Sequence, residues 1–379
     1  MNFETAIVDD IVLDDSSKYF GRVGGYDGIG TVSFRKSKGL FKSRGFAKPY
    51  FSNFVNYPLK NEVIYIFSLP TPEIQSNSYG ETYYYIAPIN IWNNPHHNGL
   101  PTVFSNEDLP DSQKRDYQQT SAGSARQVSD TGNGIDLGAS FVERTSLKPV
   151  KKFEGDVIIE GRLGNSIRLG STNIANNNPL NNWSVDGNSG DPITIIRNGQ
   201  GDTGSVGFLP TEEDVNQDPS SIYLTTTQKI NVEPSSTNYF SYKEEAPTLP
   251  KDYNKKQVII SSGRLLFNSS TDHILLSSAK SISLSSNSTV NIDSSKVIMQ
   301  TQNVYLGSKN ASEPLVLGDT TAVLLKEVID ILQELVEASA IASNGGGSIL
   351  SFQQVAPSLL TRIQNLDTSQ IKSKYNYTV

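Results

Sequence analysis

The sequence predicts a mainly β protein that ends in α-helices, with a central run of eight-residue repeats that one chain cannot bury alone. Three observations lead there. Only 36% of the 379 residues are hydrophobic and 19% charged, below the roughly 45–50% and about 25% of an average domain. Ser, Thr, Asn and Gly fill the difference; their small polar side chains compete with helical backbone bonds and suit strands and turns. The second observation is an aliphatic residue at every eighth position from Val258 to Leu306. The third is a single clear helical pattern, beginning near Thr321.

Residues 1–100 carry short apolar runs broken by Gly, Pro and Asn. These are Ala6-Ile-Val8, Gly30-Thr-Val-Ser-Phe34, Glu62-Val-Ile-Tyr-Ile-Phe67 and Tyr83-Tyr-Tyr-Ile86. Four or five short strands at this spacing predict a small sandwich or barrel. Residues 101–150 lose the pattern: Asp111-Ser-Gln-Lys-Arg-Asp and Ser121-Ala-Gly-Ser read as an extended arm or linker. Strands return over 151–250 with Gly155-Asp-Val-Ile-Ile-Glu-Gly161, Asn165-Ser-Ile-Arg-Leu-Gly170, Pro192-Ile-Thr-Ile-Ile196 and Ser221-Ile-Tyr-Leu-Thr225. Asn-rich turns such as Asn176-Asn-Asn-Pro179 separate them.

Residues 251–318 hold the repeat. Val258, Leu266, Ile274, Ile282, Val290, Ile298 and Leu306 are all aliphatic. Two places further on stand Ile260, Asn268, Leu276, Leu284, Ile292, Gln300 and Ser308, and serine dominates three and four places on, as in Ser261-Ser262 and Ser277-Ser278. Eight is a multiple of the strand period of two and not the coiled-coil period of seven. Each unit is a short strand plus a corner with only two inward apolar residues, so units must stack. A single-chain coil needs about 18 residues to go round, whereas three chains giving eight each supply about 24. The expected structure is therefore an intertwined trimer; a single-chain solenoid is the alternative.

Residues 319–379 change character. Leu324, Val328, Ile331, Leu335 and Ala338 step by four and three along a predicted helix from Thr321, capped by Asp319 or Thr320, and suit a trimeric coiled coil or a helical hairpin. Asn344-Gly-Gly-Gly347 breaks it. Phe352, Val355, Leu359, Ile363 and Leu366 mark a shorter second helix.

The 32 basic and 39 acidic residues give a net charge of −7, which argues against nucleic-acid binding. There is no cysteine, which excludes disulfides, thiolate metal sites and cysteine nucleophiles. Met1 to Asp10 lacks the charge and apolar pattern of a secretory signal, and no run of about 18 apolar residues occurs. The expectation is a soluble protein folded in a reducing or neutral compartment.

Three stretches carry a family resemblance. Asn56-Tyr-Pro-Leu-Lys-Asn-Glu-Val63 with Tyr83-Tyr-Tyr-Ile-Ala-Pro-Ile-Asn-Ile-Trp-Asn-Asn-Pro-His-His-Asn98 resembles the N-terminal OB-fold barrel of the central spike, or baseplate hub, proteins of contractile-tailed bacteriophages, which are related to type VI secretion spikes. Phe153-Glu-Gly-Asp-Val-Ile-Ile-Glu-Gly161 through Gly170, with Gly190-Asp-Pro-Ile-Thr-Ile-Ile-Arg197, is similar to the segment leading into their β-helix. The octads resemble the repeat of their needle. Together these cover most of the chain. Two departures stand out. The family's best-known repeat has glycine where Ile260, Leu276, Leu284 and Ile292 stand here. The best-studied member also carries a lysozyme domain, for which about 50 residues between barrel and needle leave no room, so no muramidase activity carries over. The resemblance implies a homotrimer in the tail baseplate of a virion, assembled in the host cytoplasm. Its partners would be hub and tail-tube proteins and a tip-capping protein, and its target the host envelope.

Candidate chemistry is sparse. Glycosidases need two carboxylates facing one bond. Asp9-Asp10, Asp14-Asp15, Glu212-Glu-Asp214 and Glu244-Glu245 are the candidates, and the expectation is that all are solvated acids in or beside turns. His96-His97 lacks a third ligand at a recognisable spacing and reads as structural. His273 precedes an inward position and should point outward. Gly24-Gly-Tyr-Asp-Gly-Ile-Gly30 lacks the Lys-Ser/Thr of a phosphate loop and reads as a pair of turns. Tyr83, Tyr84, Tyr85 and Trp92 offer stacking surfaces, but at strand spacing they read as core. No catalytic residue, cofactor or metal is expected. The seven aliphatic octad residues, Val258 to Leu306, are the candidate functional positions, as the core of a trimer. The rivals are a trimeric tail fibre or adhesin and a β-helix polysaccharide-degrading enzyme; the latter predicts clustered acids where the octads place serine.

Overall fold

The computed structural model describes residues 3–37, 43–70, 81–89, 147–176, 178–184, 188–201, 210–236, 239–243, 245–316, 318–343, 357–363, 365 and 372–378. The fold is mainly β. It divides into two compact units, residues 1–233 with 250–274, and residues 234–249 with 275–379.

The first unit opens with a closed barrel of β1 (Glu4–Ile11), β2 (Val32–Lys36), β3 (Arg44–Pro49), β4 (Val63–Pro70) and β5 (Glu81–Pro88), in the order β1-β2-β3-β5-β4. All neighbours are antiparallel except β3 and β5, which run parallel. Closure follows from β1 pairing with both β2 and β4, helped by an irregularity in register between Val8 and Asp10, since a bulge bends a strand and sharpens its twist. Alternation fills the interior: Ala6 and Val8, Val32 and Phe34, Ile64 and Ile66, with Ala47 and Tyr85, form the buried cluster. Strand β3 is the one the apolar runs do not reveal. A Cβ on Gly45 would lie 2.8 Å from the Phe34 ring, so this strand supplies room for its neighbour rather than bulk of its own.

The glycine-rich stretch after β1 forms two short 3-10 turns, Phe20–Val23 and Gly25–Gly28. Gly24, Gly25 and Gly30 take positive φ, which a side chain disfavours. Gly24 to Gly30, expected to be a pair of β-turns, thus holds one 3-10 turn, Gly25–Gly28, and leads into β2 rather than into a helix.

The same unit contains an antiparallel five-stranded sheet ordered β12-β11-β10-β7-β6, made of β6 (Val157–Glu160), β7 (Ser166–Ser171), β10 (Pro192–Asn198), β11 (Ser220–Thr225) and β12 (Gln257–Ser262). The two-residue strands β8 (Ile174–Ala175) and β9 (Asn178–Pro179) form a small hairpin in the Asn-rich turn. On one face Ile193, Ile195 and Tyr223 pack with Trp183, Val215 and Ile230, supported by Phe153, Val232 and Ile259. Barrel and sheet are joined by Arg162, whose Nη1 lies 2.8 Å from Oε1 of the buried Glu62. The first octad is thus β12, paired within its own chain to β11.

The second unit has a three-stranded sheet in which β15 (Lys372–Thr378) lies between β13 (Val304–Tyr305) and β14 (Glu313–Val316). Helix α1 (Gly318–Ser343) follows, and a second helix covers 357–363. Ile331 and Leu359 are buried. Arg362 donates to Glu327 through Nε at 2.8 Å and to Glu334 through Nη1 at 2.5 Å. The shorter helix therefore folds back on the longer one as a hairpin. Of the predicted stripe, Ile331 is buried and Leu324 and Val328 are half-buried, whereas Leu335 is exposed and the side chain of Ala338 lies outside the described residues. Leu325, Ile329 and Leu332, at steps of four and three, make a second stripe that is exposed.

Candidate functional site

The seven octad residues fall on a stretch with no core of its own. Val258, Leu266, Ile274, Ile282, Val290, Ile298 and Leu306 are between 45% and 84% exposed, and Ile260, Leu276, Leu284 and Ile292 are exposed as well. From Gly263 to Asn303 the chain contains neither helix nor strand. Among the described residues, no backbone group in this stretch bonds to another backbone group. Backbone donors and acceptors in folded proteins are almost always paired, and apolar patches of this length on one chain mark contact surfaces. A single-chain solenoid would show ladders between successive octads. None is present among the described residues.

Groups from residues 235, 236 and 242 do contact this stretch. Ser285 Oγ lies 2.6 Å from Ser236 Oγ, Tyr242 Oη 3.0 Å from Ser281 Oγ, and Asn287 donates to the Ser235 carbonyl at 2.6 Å. Ser235, Ser236 and Tyr242 thus bond to polar side chains of the stretch, while the aliphatic octad positions stay exposed.

The acid pairs resolve differently from one another. Asp14 accepts hydrogen bonds from Ser16 and Ser17 at a turn, which lower its pKa, as a solvated turn acid would. Asp9 lies within β1, near Arg35 at 3.4 Å and Arg44 at 3.6 Å. Glu213 corrects the expectation for its cluster: it is 1% exposed, and its two oxygens accept from Arg168 Nε at 2.8 Å and Nη2 at 3.0 Å. The same buried guanidinium reaches Asp156 Oδ2 and the Lys151 carbonyl and sits over Trp183 and Phe153. Glu212 instead accepts from Lys151 Nζ at 2.6 Å. Sequence reasoning missed this cluster because Glu213 and Arg168 are 45 residues apart. The only local hint was a charged residue alternating with Ile167 and Leu169 in a strand.

Beside the cluster is a groove of about 480 Å³ bordered by Trp183, Glu213, Asp214, Tyr223 and Lys229. Among the described residues that line it, the carboxylates are Glu213, held by Arg168, and Asp214, which accepts the Asn216 N–H at 2.8 Å. The described residues contain no group of three or more His, Asp or Glu placed to hold a metal. His273 is exposed; His96, His97 and Trp92 lie outside the described residues, as does Glu244. Of the barrel tyrosines, Tyr85 is core and donates to the Gly30 carbonyl at 3.0 Å, and burial pushes its pKa up. Tyr83 packs on that core, and Tyr84 stacks on Phe67.

No described helix is long and apolar enough to cross a membrane. Comparison with family models, with curated proteins and with solved structures finds no match.

Proposed function

We propose that the chain is a structural protein, the homotrimeric central spike of a contractile phage tail baseplate, in which three copies of the octad stretch wind into one β-prism. The observation that carries this reading is the run from Gly263 to Asn303, with its octad aliphatic residues exposed and, among the described residues, no backbone pairing of its own. Three copies supply both missing parts, a core for the aliphatic column and ladder partners for the backbone. Closing the prism removes open sheet edges, and a closed, interwound rod resists axial load. Its task is to be driven through the host envelope when the sheath contracts. The barrel, in this reading an OB-type domain, would form the hub: its strand order and parallel β3·β5 pairing favour that type. Tail-tube and hub proteins would bind above it, and a capping protein at the tip.

Light scattering with an unboiled detergent gel tests the assembly. The expected mass is three times the chain mass of 41.4 kDa, with a band that resists detergent until boiled. Ile282→Asp should abolish that resistance, since it places one carboxylate per chain on the axis. A stable single chain would refute the prism. Gold labelling of virions carrying a tagged chain should mark the tail tip; label elsewhere on the particle would refute the spike.

A further inference from the structure

The five-stranded sheet of the first unit has one face covered by Trp183 and its neighbours. Its other face is apolar and bare. The strand register aligns two complete rows across all five strands. One runs Val157, Leu169, Thr194, Leu224, Val258; the next runs Ile159, Ile167, Ile196, Ile222, Ile260. Nine of these ten residues are aliphatic, and eight are between 38% and 63% exposed. Beside the second row lies a polar one, Asn198, Ser220, Ser262. A sheet apolar on both faces is one that is buried on both faces.

The rows also identify the occupant. Val258, Ile260 and Ser262 are the first, third and fifth residues of the first octad. The same three columns, aliphatic, mostly aliphatic and polar, continue as Leu266, Asn268 and Ser270, then Ile274, Leu276 and Ser278, then Ile282, Leu284 and Ser286. The sheet therefore repeats, across five strands of one chain, the lateral code that the octads repeat along the sequence. At about 4.8 Å per strand these rows extend roughly 19 Å. A partner of unrelated sequence would need apolar columns at this same spacing; another copy of the chain has them by identity.

We infer that this face is a contact surface between copies of the chain, each sheet meeting the same face of its copies through the two aliphatic rows. This rests on the prism reading of the octads and extends it. The prism begins at β6, with layers in which each side is folded by a single chain, and passes at β12 into layers where the chains interwind. Assembly then has a folded starting platform, and the register of the octads is set by β12, already fixed on β11.

The absence of native cysteine allows a direct test in the full chain. Single variants Ile196→Cys and Leu224→Cys probe the sheet face, and Ile282→Cys probes the octads. Mild oxidation should link chains of all three variants on non-reducing gels. Maleimide should label positions 196 and 224 at least ~100-fold more slowly in the native than in the denatured protein, the protection a stable interface gives. Fast native labelling without cross-links at both sheet positions, while position 282 still links in a trimer, would overturn the sheet interface and leave the octad prism intact. A monomer by light scattering, with no link at any position, would overturn both.

Discussion

Replacing Arg168 with Met tests whether the first unit depends on its buried ionic cluster. The guanidinium is fully enclosed and faces two carboxylates, Glu213 and Asp156, themselves 0% and 2% exposed. Met fills the space of the aliphatic stem but strands both anions. Removing one partner from a buried pair costs about 3–5 kcal/mol, about two to three and a half decades in the folding equilibrium. With a urea slope near 2 kcal/mol/M, the transition should move down by about 2 M. Trp183, 1% exposed and 5.2 Å from the guanidinium, reports it by fluorescence. Arg168→Lys should recover little, because a point charge cannot make the paired bonds to Glu213. Arg168→Met combined with Glu213→Met should recover part of the loss, since only Asp156 then remains unpaired. If the Arg168→Met transition lay within about 0.5 M of the parent, the cluster would contribute no more than surface pairs do, and the buried-charge reasoning would be wrong.

Two further outcomes are expected. Tyr85→Phe removes the hydroxyl that donates to Gly30 inside the barrel and should cost about 1–2 kcal/mol, seen as faster hydrogen exchange in β1, β2 and β5; unchanged exchange there would show that the bond does not hold the barrel. Asp191 has its pKa lowered below 3.8, chiefly by the Thr227 hydroxyl and next by the Asn188 N–H. Its folded value lies below its unfolded one, so its contribution is present above about pH 4 and is lost as pH falls through the folded value. Asp191→Asn should therefore reduce stability at pH 6, with the difference from the parent shrinking as pH falls below about 4; a loss that does not change with pH would refute the carboxylate's role.

The parts of this protein legible in its sequence are those whose cause is local. Alternation placed the cores of β1, β2, β4 and β5, because neighbouring strand residues point to opposite faces whatever the strand pairs with. The 3.6-residue stripe placed α1, and the octads declared their own period. Each of these signals lies within one segment. Strand β3 escaped because its contribution is the missing side chain of Gly45, read only from the Phe34 ring it admits. Arg168 and Glu213 looked like ordinary charges, and became the centre of a core only when the register of β7 and the return of the chain near residue 213 brought them together.

The sequence by itself shows an aliphatic residue at every eighth position from Val258 to Leu306, with serine dominating three and four places on. Tertiary structure decided what the first of these positions stands beside. Val157, Ile167, Ile196, Ile222 and Val258 are scattered over a hundred residues, and no local pattern links them. They become two rows because antiparallel pairing fixes which residue stands beside which, and register is a property of the pairing of strands, not of any one strand.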